Sequence, residues 1–388
     1  MSNETATSSL LRASEPPCRL RTGVASVAVI KYIGSKRILV PTIERLARRL
    51  PIRTACDLFA GTTRVGQGLR RTGLRVLSND TASYSEALAN AYILADERVD
   101  RTRLRRLLDH LDALPPEHGY FTETFCVESR FFRPENGMRV DAIRNEIDRL
   151  DVSPVERGML LTSLMEAADR VDSTCGLQMA YVKKWAQRAN NPLELRGPVA
   201  VEGPKGSVSR ADALEVASGL QGFDCAYLDP PYNQHSYFSN YHIWETLVRW
   251  DSPTHYGVAC KRLDCKTTKS AYNSKRHAWT ALASLIEALP TPWIIASFNN
   301  EGFHDPDSVA TLLSEKGYLR TVDVDYKRYV GAQIGIFNPS GEKVGRVSHL
   351  RNRELLFVVG PSEAAVDRAV EGVSPSPAEE ACLQDALF

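Results

Sequence analysis

Residues 223–232 read Phe-Asp-Cys-Ala-Tyr-Leu-Asp-Pro-Pro-Tyr, an apolar run followed by a carboxylate, two prolines and an aromatic ring. A short apolar run of this kind predicts a buried strand. Proline lacks an N–H donor and forces the residue before it into extended geometry, so Asp229–Tyr232 leaves the strand as a stiff segment. A simple turn would favour Gly or Asn beside the proline. The segment therefore suits a site that holds hydrogen-bond acceptors and a flat ring around a planar amine.

Upstream of this segment, alternating strands and helices predict a doubly wound α/β fold with a mostly parallel sheet. The run 54–57 predicts a short strand that ends in an acid and turns through Gly61 into a helix beginning near Arg64. In such folds, ligands bind at the carboxyl ends of the strands. The loop matches neither a P-loop nor a G-x-G-x-x-G motif. It therefore disfavours a phosphate cradle and favours a cationic, phosphate-free nucleoside.

Three further features predict ligand contacts near that strand end. Asp80 ends the second predicted strand, about 20 residues past the glycine loop, where an acid accepts hydrogen bonds from ribose hydroxyls. A helix N-cap is an alternative and compatible role for Asp80. Lys31–Lys36 can present backbone N–H groups and two cations to a ligand, or can be a capped helix start with solvated lysines. Asp212 lies just past a short strand predicted near 206–209 and can face the same ligand.

The chain is expected to have a helical insertion within the α/β domain. The α/β domain comprises 27–99 and 196–360, and its last strands, near 322–329 and 354–359, are expected to be antiparallel. A loop is predicted between them at 341–348. Residues 100–195 break the β–α rhythm and predict the insertion, with helices at 101–114, 136–150, 154–171 and 177–189. Low-complexity ends predict a disordered leader over 1–26 and a loose tail over 361–388.

Charge is informative only locally. A net charge of +1 over 388 residues gives no global attraction to polyanions. Two basic stretches predict either solvated surface or contacts with a DNA backbone, for which Lys, Arg, Ser and Thr are the usual residues. They comprise Lys183, Lys184 and Arg188 beside Trp185 in the insertion, and Lys261, Arg262, Lys266, Lys269, Lys275 and Arg276 after the Asp229 segment.

Cysteine spacing and hydropathy indicate the compartment. The eight cysteines include no C-x-x-C pair, which argues against a zinc site or a disulfide framework and for a reducing cytoplasm. No apolar run is long enough to span a bilayer. The first 17 residues contain no signal-peptide core. We therefore expect a cytoplasmic protein with no metal ion and no membrane partner.

The order of these motifs resembles the Dam-like branch of the DNA adenine methyltransferases. Those proteins carry Lys-Trp/Tyr-x-Gly-(Gly/Ser)-Lys, then Asp/Glu-x-Phe-x-Gly, an acid after the second strand, an insertion and Asp-Pro-Pro-Tyr. This sequence has Lys31–Lys36, Asp57–Gly61, Asp80, the insertion and Asp229–Tyr232 in that order, so the match covers about 27–359. Tyr stands at position 32 where many members have Trp, and the insertion is more helical than in the best-known members.

The resemblance implies S-adenosylmethionine as methyl donor and an adenine of double-stranded DNA as acceptor. It implies donor contacts for Tyr32 and Lys36, a ribose ligand at Asp80 and a contact with the donor's adenine at Asp212. The loop expected under the donor's methionine part comprises Asp57, Phe59 and Gly61.

The resemblance also implies separate roles for the two parts of the chain. The α/β domain would be the catalytic methyltransferase domain, and the insertion would recognise the DNA target. A restriction-modification role beside a cognate endonuclease and an orphan epigenetic role both fit this interpretation.

The expected chemistry explains the predicted catalytic segment. Adenine's exocyclic amine is a poor nucleophile because its lone pair is delocalised into the ring. The Asp229 carboxylate and the Pro230 carbonyl can each accept one N–H bond, which frees the lone pair for attack on the methyl sulfonium. The base must leave the duplex, and stacking on Tyr232 stabilises it by ~1–3 kcal/mol. Pro231 completes the segment, and His235 and His242 are expected to form hydrogen bonds in the loop rather than to catalyse.

Other functions are compatible with parts of the pattern. A methyltransferase could act on another planar amine, such as RNA adenine or a protein glutamine. Glutamine-directed relatives usually carry Asn at the first position of the tetrapeptide, so Asp229 favours adenine. A non-catalytic nucleic-acid-binding protein of the same fold is disfavoured by the intact Lys36, Asp80 and Asp229. The missing glycine motif disfavours a nucleotide-dependent dehydrogenase.

Overall fold

A seven-stranded sheet forms the centre of the molecule. The computed structural model describes residues 30–34, 36–299, 302–327, 336–337, 343–345 and 351–373, so the leader predicted over 1–26 lies outside the described residues. The described strands, numbered along the chain, are β1 (Thr54–Asp57), β2 (Arg75–Asn79), β3 (Ser207–Ser209), β4 (Cys225–Leu228), β5 (His255–Tyr256), β6 (Lys261–Arg262), β7 (Trp293–Asn299), β8 (Tyr318–Lys327), β9 (Ile336–Phe337), β10 (Lys343–Gly345) and β11 (Arg351–Gly360).

The strand order in the main sheet is β3-β2-β1-β4-β7-β11-β8. The first five strands are parallel neighbours, whereas β11 runs antiparallel to both β7 and β8. This topology confirms the predicted doubly wound, mostly parallel α/β fold and its antiparallel edge. Two small antiparallel pairs, β5 with β6 and β9 with β10, lie outside the main sheet. Of the loop predicted at 341–348, the structure describes only 343–345, and these residues form β10.

Helices cover the sheet and fill the insertion. Two of them, α3 (Ser83–Ala89) and α5 (Tyr120–Thr122), continue as π-helical turns at Asn90–Leu94 and Glu123–Val127. The described α-helices are α1 (Val40–Arg49), α2 (Arg64–Arg71), α3 (Ser83–Ala89), α4 (Arg101–Asp112), α5 (Tyr120–Thr122), α6 (Pro134–Arg149), α7 (Pro154–Arg170), α8 (Ala213–Ser218), α9 (Tyr237–Asn240), α10 (His242–Arg249), α11 (Ala278–Ala288), α12 (Pro306–Ser314) and α13 (Glu363–Val370).

Strand β4 shows why the sheet has an apolar layer on each face. All four of its residues are buried. Cys225 and Tyr227 pack with α1, α2 and α13, whereas Ala226 and Leu228 pack with α8, α11 and α12. Successive side chains of a strand point to opposite faces, so a continuous apolar run serves both layers. The strand is therefore enclosed up to its last residue, Leu228, and the partly buried Asp229 follows directly.

The insertion shares a core with the α/β domain. Leu104 of α4, Ile143 of α6 and Leu164 of α7 belong to the same buried cluster as Leu88 of α3 and Trp244 of α10. Helix α7 begins with a capping box between Ser153 and Glu156, which fixes where the helix starts. The insertion is thus packed directly on the helices that flank the sheet.

The helix predicted over 177–189 is wrong. Only a short 3₁₀ turn, Gln187–Asn190, forms near its end. The chain is instead held by tertiary hydrogen bonds, because the Gln178 N–H donates to Asn240 O at 2.9 Å and the Gln178 side chain accepts from Ile243 N at 2.8 Å. These bonds fasten the segment to the loop that follows Asp229, so its backbone does not form a helical ladder.

The loose tail expected from residue 361 contains a helix in its described part. Helix α13 buries Val366 and Ala369 completely, and Val373 beyond it is also fully buried. These apolar side chains pack on the layer formed by α1 and the sheet. The Ala-, Ser- and Glu-rich composition suggested a solvated chain, but three spaced apolar side chains are enough to attach the helix. Residues 374–388 lie outside the described part of the chain.

We expect Gly158→Ala to destabilise the fold by about 1–3 kcal/mol, the usual range for overpacking a core. A Cβ atom at Gly158 of α7 would lie 2.5 Å from Asn90 Cβ and 3.1 Å from Ala87 O. Alanine stabilises a helix by about 1 kcal/mol relative to glycine, so the variant is destabilised only if the steric clash costs more than this gain. Gly219→Ala is the matched control, because its Cβ would meet only Val216 O at 3.5 Å. Equal unfolding midpoints in urea for both variants would contradict the close packing of α7 on α3.

Candidate active site

A cavity of about 300 Å³ lies at the carboxyl ends of the parallel strands. Strand order reverses between β1 and β4, and ligands of doubly wound sheets bind at such a switch point. The structure brings together at this cavity all seven residues that the sequence predicted as donor contacts. They are Tyr32, Lys36, Asp57, Phe59, Gly61, Asp80 and Asp212, and Asp229 and Pro231 of the predicted catalytic segment line the same cavity.

The loop after β1 needs glycine at position 61. Gly61 has a φ of +50°, and a Cβ atom there would lie 3.2–3.4 Å from the ring of Tyr32. Its N–H donates to the Asp80 carboxylate at 2.8 Å, which ties this loop to the end of β2. The second Asp80 oxygen accepts from Ala82 N at 3.0 Å. The N-cap residue of α3 is Ala82, which forms no side-chain capping bond, so the alternative N-cap role predicted for Asp80 is wrong. Asp80 lines the cavity, and its role as a ribose ligand stays a prediction.

Three tyrosines, Tyr32, Tyr84 and Tyr237, line one side of the site, and the buried Tyr241 packs against them. The Tyr32 ring stacks on Tyr241 at 4.4 Å and on Tyr237 at 5.2 Å between ring centroids. Its hydroxyl lies 3.2 Å from that of Tyr84. Burial raises the pKa of Tyr32 well above its usual range, so the phenol is neutral. The sequence predicted only Tyr32, although the aromatic loop 237–241 was the available signal for its neighbours.

Asp57 is a buried carboxyl group that faces the backbone N–H groups of Phe59 and Gly66. Neither oxygen has a hydrogen-bond donor of good geometry among the residues that the structure describes. Burial, with the nearby carboxylates of Asp229 and Asp80, raises the pKa of Asp57 to about 8. An uncompensated buried carboxyl group of this kind costs free energy unless a ligand supplies a donor or a cation. The donor set of the cavity therefore fits a positively charged ligand.

Asp229 is held by a buried ammonium group. Lys36 Nζ lies 3.0 Å from Asp229 Oδ1 and also pairs with Glu354. Glu354 accepts a second hydrogen bond from Ser297 Oγ at 2.7 Å. Burial would lower the pKa of Lys36, but the carboxylates of Asp229 and Glu354 raise it well above its usual range. Burial raises the pKa of Asp229 to about 6, which leaves this carboxyl group ionised at neutral pH.

Glu354 is a candidate site residue that the sequence reasoning missed. It is 1% exposed and lies in β11, 318 residues from Lys36 in the chain. A glutamate inside the apolar strand Glu354–Val359 was a usable signal, because buried charges are rare unless they are paired. The sequence alone could not identify the partner.

Pro230 and Tyr232 lie beside the cavity rather than in its wall. Pro230 is buried and Tyr232 is half-buried. The Tyr232 carbonyl accepts from Phe303 N at 2.8 Å, and Lys36 Nζ lies 5.7 Å from the centre of its ring. The rigid backbone between Asp229 and Tyr232 thus places an aromatic ring next to the carboxylate.

The prediction of Arg262 as a DNA contact is wrong. Its side chain is 1% exposed and forms ion pairs with Asp251 at 2.6 Å and Asp264 at 2.9 Å. The guanidinium of Arg188 is also largely unavailable for DNA, because it pairs with Asp172 at 2.6 Å. A guanidinium needs several acceptors at once, so a nearby pair of acids folds it inward.

The other predicted basic contacts remain at the surface. Lys261 is half-buried, and its ammonium lies 5.1 Å from the ring centre of Tyr256; that of Lys266 lies 4.4 Å from the same ring. Lys269 also lines the cavity. The exposed members are Lys183, Lys184, Lys266, Lys269, Lys275 and Arg276.

Neither loop histidine contributes a catalytic group to the cavity wall. His242 is fully buried, with Nε2 at 2.9 Å from Gln178 O. Burial lowers its pKa to about 3, so the ring is neutral. His235 is exposed, and its backbone N–H donates to Asn233 Oδ1.

The described residues contain one group of possible metal ligands that sequence spacing did not reveal. Side-chain atoms of Glu128, His255 and Cys260 lie within 4.8 Å of one another. None of the three lines the cavity.

Comparison with known proteins agrees with this geometry. Residues 32–290 match the family model of the D12 class N6 adenine-specific DNA methyltransferases. The chain is 31% identical to the type II methyltransferase M.NlaIII of Neisseria lactamica, over 77% of this chain and 92% of that protein. It is 30% identical to the modification methylase StsI of Streptococcus sanguinis, over 79% of this chain but only half of that longer protein. It is 28% identical to the type II methyltransferase M.CviAII of Paramecium bursaria Chlorella virus 1, over 77% of this chain and 92% of that protein.

The match with the family model includes the Lys36 segment, the loop after β1, the insertion and Asp229–Tyr232. No helix among the described residues is long and apolar enough to cross a membrane. Family match, fold and cavity agree, and the chain belongs to the D12 class N6 adenine-specific DNA methyltransferase family.

Proposed function

We propose that this DNA adenine methyltransferase binds S-adenosylmethionine in the cavity and uses Asp229 to activate an adenine flipped out of double-stranded DNA. The observation that carries the proposal is the position of the Asp229 carboxylate. It lies in the wall of a cavity lined by all the predicted donor contacts, 3.0 Å from a buried ammonium. Glu354 and Lys36 hold it there from two other parts of the chain.

The residues of the cavity fit S-adenosylmethionine. Asp57, whose pKa is raised to about 8, would ionise beside the donor's positive charge, and Asp80 offers oxygens to the ribose hydroxyls. Gly34 and Gly61 have positive φ, and a side chain at either would press on Tyr237 or Tyr32. Phe59 and Asp212 complete the wall. When bound, S-adenosylmethionine supplies a methyl group on a positively charged sulfur.

Asp229 has two oxygens with different tasks. Lys36 holds Oδ1, which leaves Oδ2 to accept an N–H of the adenine amine. The Pro230 carbonyl accepts the other N–H, and the Tyr232 ring stacks on the base. A carboxylate fixed in a site that excludes water stabilises the positive charge that develops on the nitrogen. Lys36 keeps the carboxylate ionised and in place.

The insertion and the exposed lysines are proposed to bind DNA. Trp185 lies between Arg130 and Arg133, with guanidinium-to-ring distances of 4.8 and 4.3 Å. Two cations over one indole form a flat, positively charged surface beside Lys183 and Lys184. Lys269 lines the cavity, and Lys266 lies three residues before it in the same exposed loop. Together they would follow the phosphate backbone on both sides of a flipped base.

The names of the relatives suggest a biological role. M.NlaIII and M.CviAII are type II methyltransferases, and StsI is a modification methylase. We propose that this enzyme likewise protects DNA in a restriction-modification system, beside a cognate endonuclease. The cysteines that the structure describes are free thiols, which supports a cytoplasmic location.

We expect Asp229→Ala to lower the rate of methyl transfer at least about a hundredfold, the scale seen when one fixed group that stabilises a transition state is removed. Asp229→Asn keeps a hydrogen-bond acceptor of the same shape, so its rate should lie between those of the wild-type protein and Asp229→Ala. Both variants should still bind S-adenosylhomocysteine in calorimetry, which controls for folding. Transfer of labelled methyl groups to DNA at the wild-type rate by Asp229→Ala would refute the mechanism.

The rate should depend on the ionisation of Asp229. Its reactive form is the carboxylate, whose pKa is raised to about 6, so single-turnover methyl transfer should rise with pH through about 6. Lys36→Met removes the cation that lowers this pKa and should move the rise to higher pH. Glu354→Gln removes an anion that raises it and should move the rise to lower pH. The pH–rate profiles are measured at saturating donor. If those of Lys36→Met and Glu354→Gln do not move in opposite directions, the proposed network of Lys36, Asp229 and Glu354 is excluded.

Replacing Lys266 and Lys269 together with Gln should weaken DNA binding and flatten its salt dependence by about one unit of slope for each phosphate that is no longer neutralised. Lys205→Gln is the control, because Lys205 is exposed and precedes β3, at the opposite edge of the sheet from the strand carboxyl ends. Fluorescence anisotropy of a labelled duplex between 50 and 200 mM salt gives the slopes, and equal slopes for both variants would remove this loop from the interface.

A further inference from the structure

Arg64 is a partly buried guanidinium without a partner. It occupies the first position of α2 and lines the donor cavity. Its Nε atom is buried and has no acceptor, and its side chain forms no ion pair or hydrogen bond with the described residues. Burial, with the nearby cation of Arg37, lowers its pKa to about 10, so it is still charged at neutral pH.

Three buried arginines elsewhere in the described chain show how such a side chain is usually paired. Arg70 donates to the carbonyls of Tyr92, Ala95, Gly203 and Pro204. Arg262 is enclosed by two aspartates, and Arg144 donates to Leu247 O and Val248 O. Buried charges are normally paired, so an exception at a cavity wall indicates a missing acceptor.

The acidic groups near Arg64 do not supply that acceptor. Glu166 is an acidic group that raises the pKa of Arg64, but its carboxylate accepts a hydrogen bond from the Tyr92 hydroxyl at 2.5 Å. Asp57 forms no ion pair with Arg64, although both line the same cavity. Asp57 Oδ2 would lie 3.6 Å from a Cβ atom at Gly66, two residues beyond Arg64. A buried carboxyl group and a guanidinium that forms no ion pair with the described residues therefore border the first turn of α2, and a bound ammonium group would favour the ionised form of Asp57.

We propose that Arg64 binds the α-carboxylate of the methyl donor while Asp57 binds its α-ammonium group. An α-amino acid end carries both charges on adjacent atoms, and it is the ligand chemistry that satisfies both residues at once. A guanidinium matches a carboxylate with two parallel N–H donors. The N-terminal turn of α2 adds a favourable dipole for the same anion. This inference rests on the proposed binding of S-adenosylmethionine in the cavity.

The pair gives the enzyme selectivity for intact donor and product. S-Adenosylhomocysteine keeps the amino acid end, whereas 5′-methylthioadenosine has the same nucleoside and a thioether but lacks both charges. Arg64 should therefore distinguish these two compounds, and a residue that only supports the loop would not.

Titration calorimetry of the full chain with both compounds tests the assignment. Arg64→Gln should weaken S-adenosylhomocysteine binding about 10- to 100-fold, as expected when a charge-assisted hydrogen bond is removed, and leave 5′-methylthioadenosine binding within about twofold. Arg64→Lys should recover part of the affinity. Arg37→Gln removes a neighbouring exposed cation and controls for long-range charge, so it should not separate the two compounds.

The outcomes distinguish this inference from the proposed function. Equal weakening of both compounds by Arg64→Gln, or no weakening of either, would overturn the role of Arg64 and leave the donor site standing. Failure of the wild-type protein to bind S-adenosylhomocysteine would overturn the donor site itself and this inference with it.

Discussion

The buried ammonium of Lys36 is the interaction on which the rest of the site depends. It joins the segment before α1, the end of β4 through Asp229 and the antiparallel strand β11 through Glu354. Removing one partner of such a buried network leaves an uncompensated charge, which typically costs about 3–5 kcal/mol. Strand β11 places Glu354 beside β7, where Ser297 donates to it. The antiparallel end of the sheet thus supplies a charge to a site that is otherwise built at parallel strand ends.

Groups of both charges line the cavity, with Lys36, Arg64 and Lys269 beside the acids. Asp57, Asp80 and Asp229 are three carboxyl groups whose pKa values are raised mainly by burial, and they face a space that fits a cationic donor. Of the exposed cations proposed to bind DNA, Lys269 lines the cavity and the others do not. With a net charge of only +1, the proposed binding of a cationic donor and of DNA would depend on local groups of charges rather than on the charge of the whole molecule.

The aromatic wall links the donor site to the insertion. Tyr241 stacks on Tyr32, and its hydroxyl accepts from Ile33 N at 2.6 Å and donates to Gly176 O at 3.4 Å. Gln178 of the insertion is hydrogen-bonded to Asn240 and Ile243, on either side of Tyr241. Because these contacts are direct and the insertion shares its apolar core with α3 and α10, the proposed DNA-binding segment and the donor pocket form one packed unit. A shift of the proposed DNA-binding segment would therefore displace residues of the donor pocket, since packed interiors transmit strain.

The sequence by itself determined the fold class, the order of the motifs and most of the cavity wall. Each of these depends on local pattern: an apolar run ending in Asp57 or Asp229, a glycine where φ is positive, and prolines that stiffen the backbone. Only the tertiary structure decided which charges meet. It paired Glu354 with Lys36 across 318 residues, enclosed Arg262 between two acids and left Arg64 unpaired beside Asp57. It also replaced the helix expected over 177–189 with an irregular segment bonded to the catalytic loop. Periodicity and composition report local preference, whereas burial and pairing depend on which distant elements come into contact.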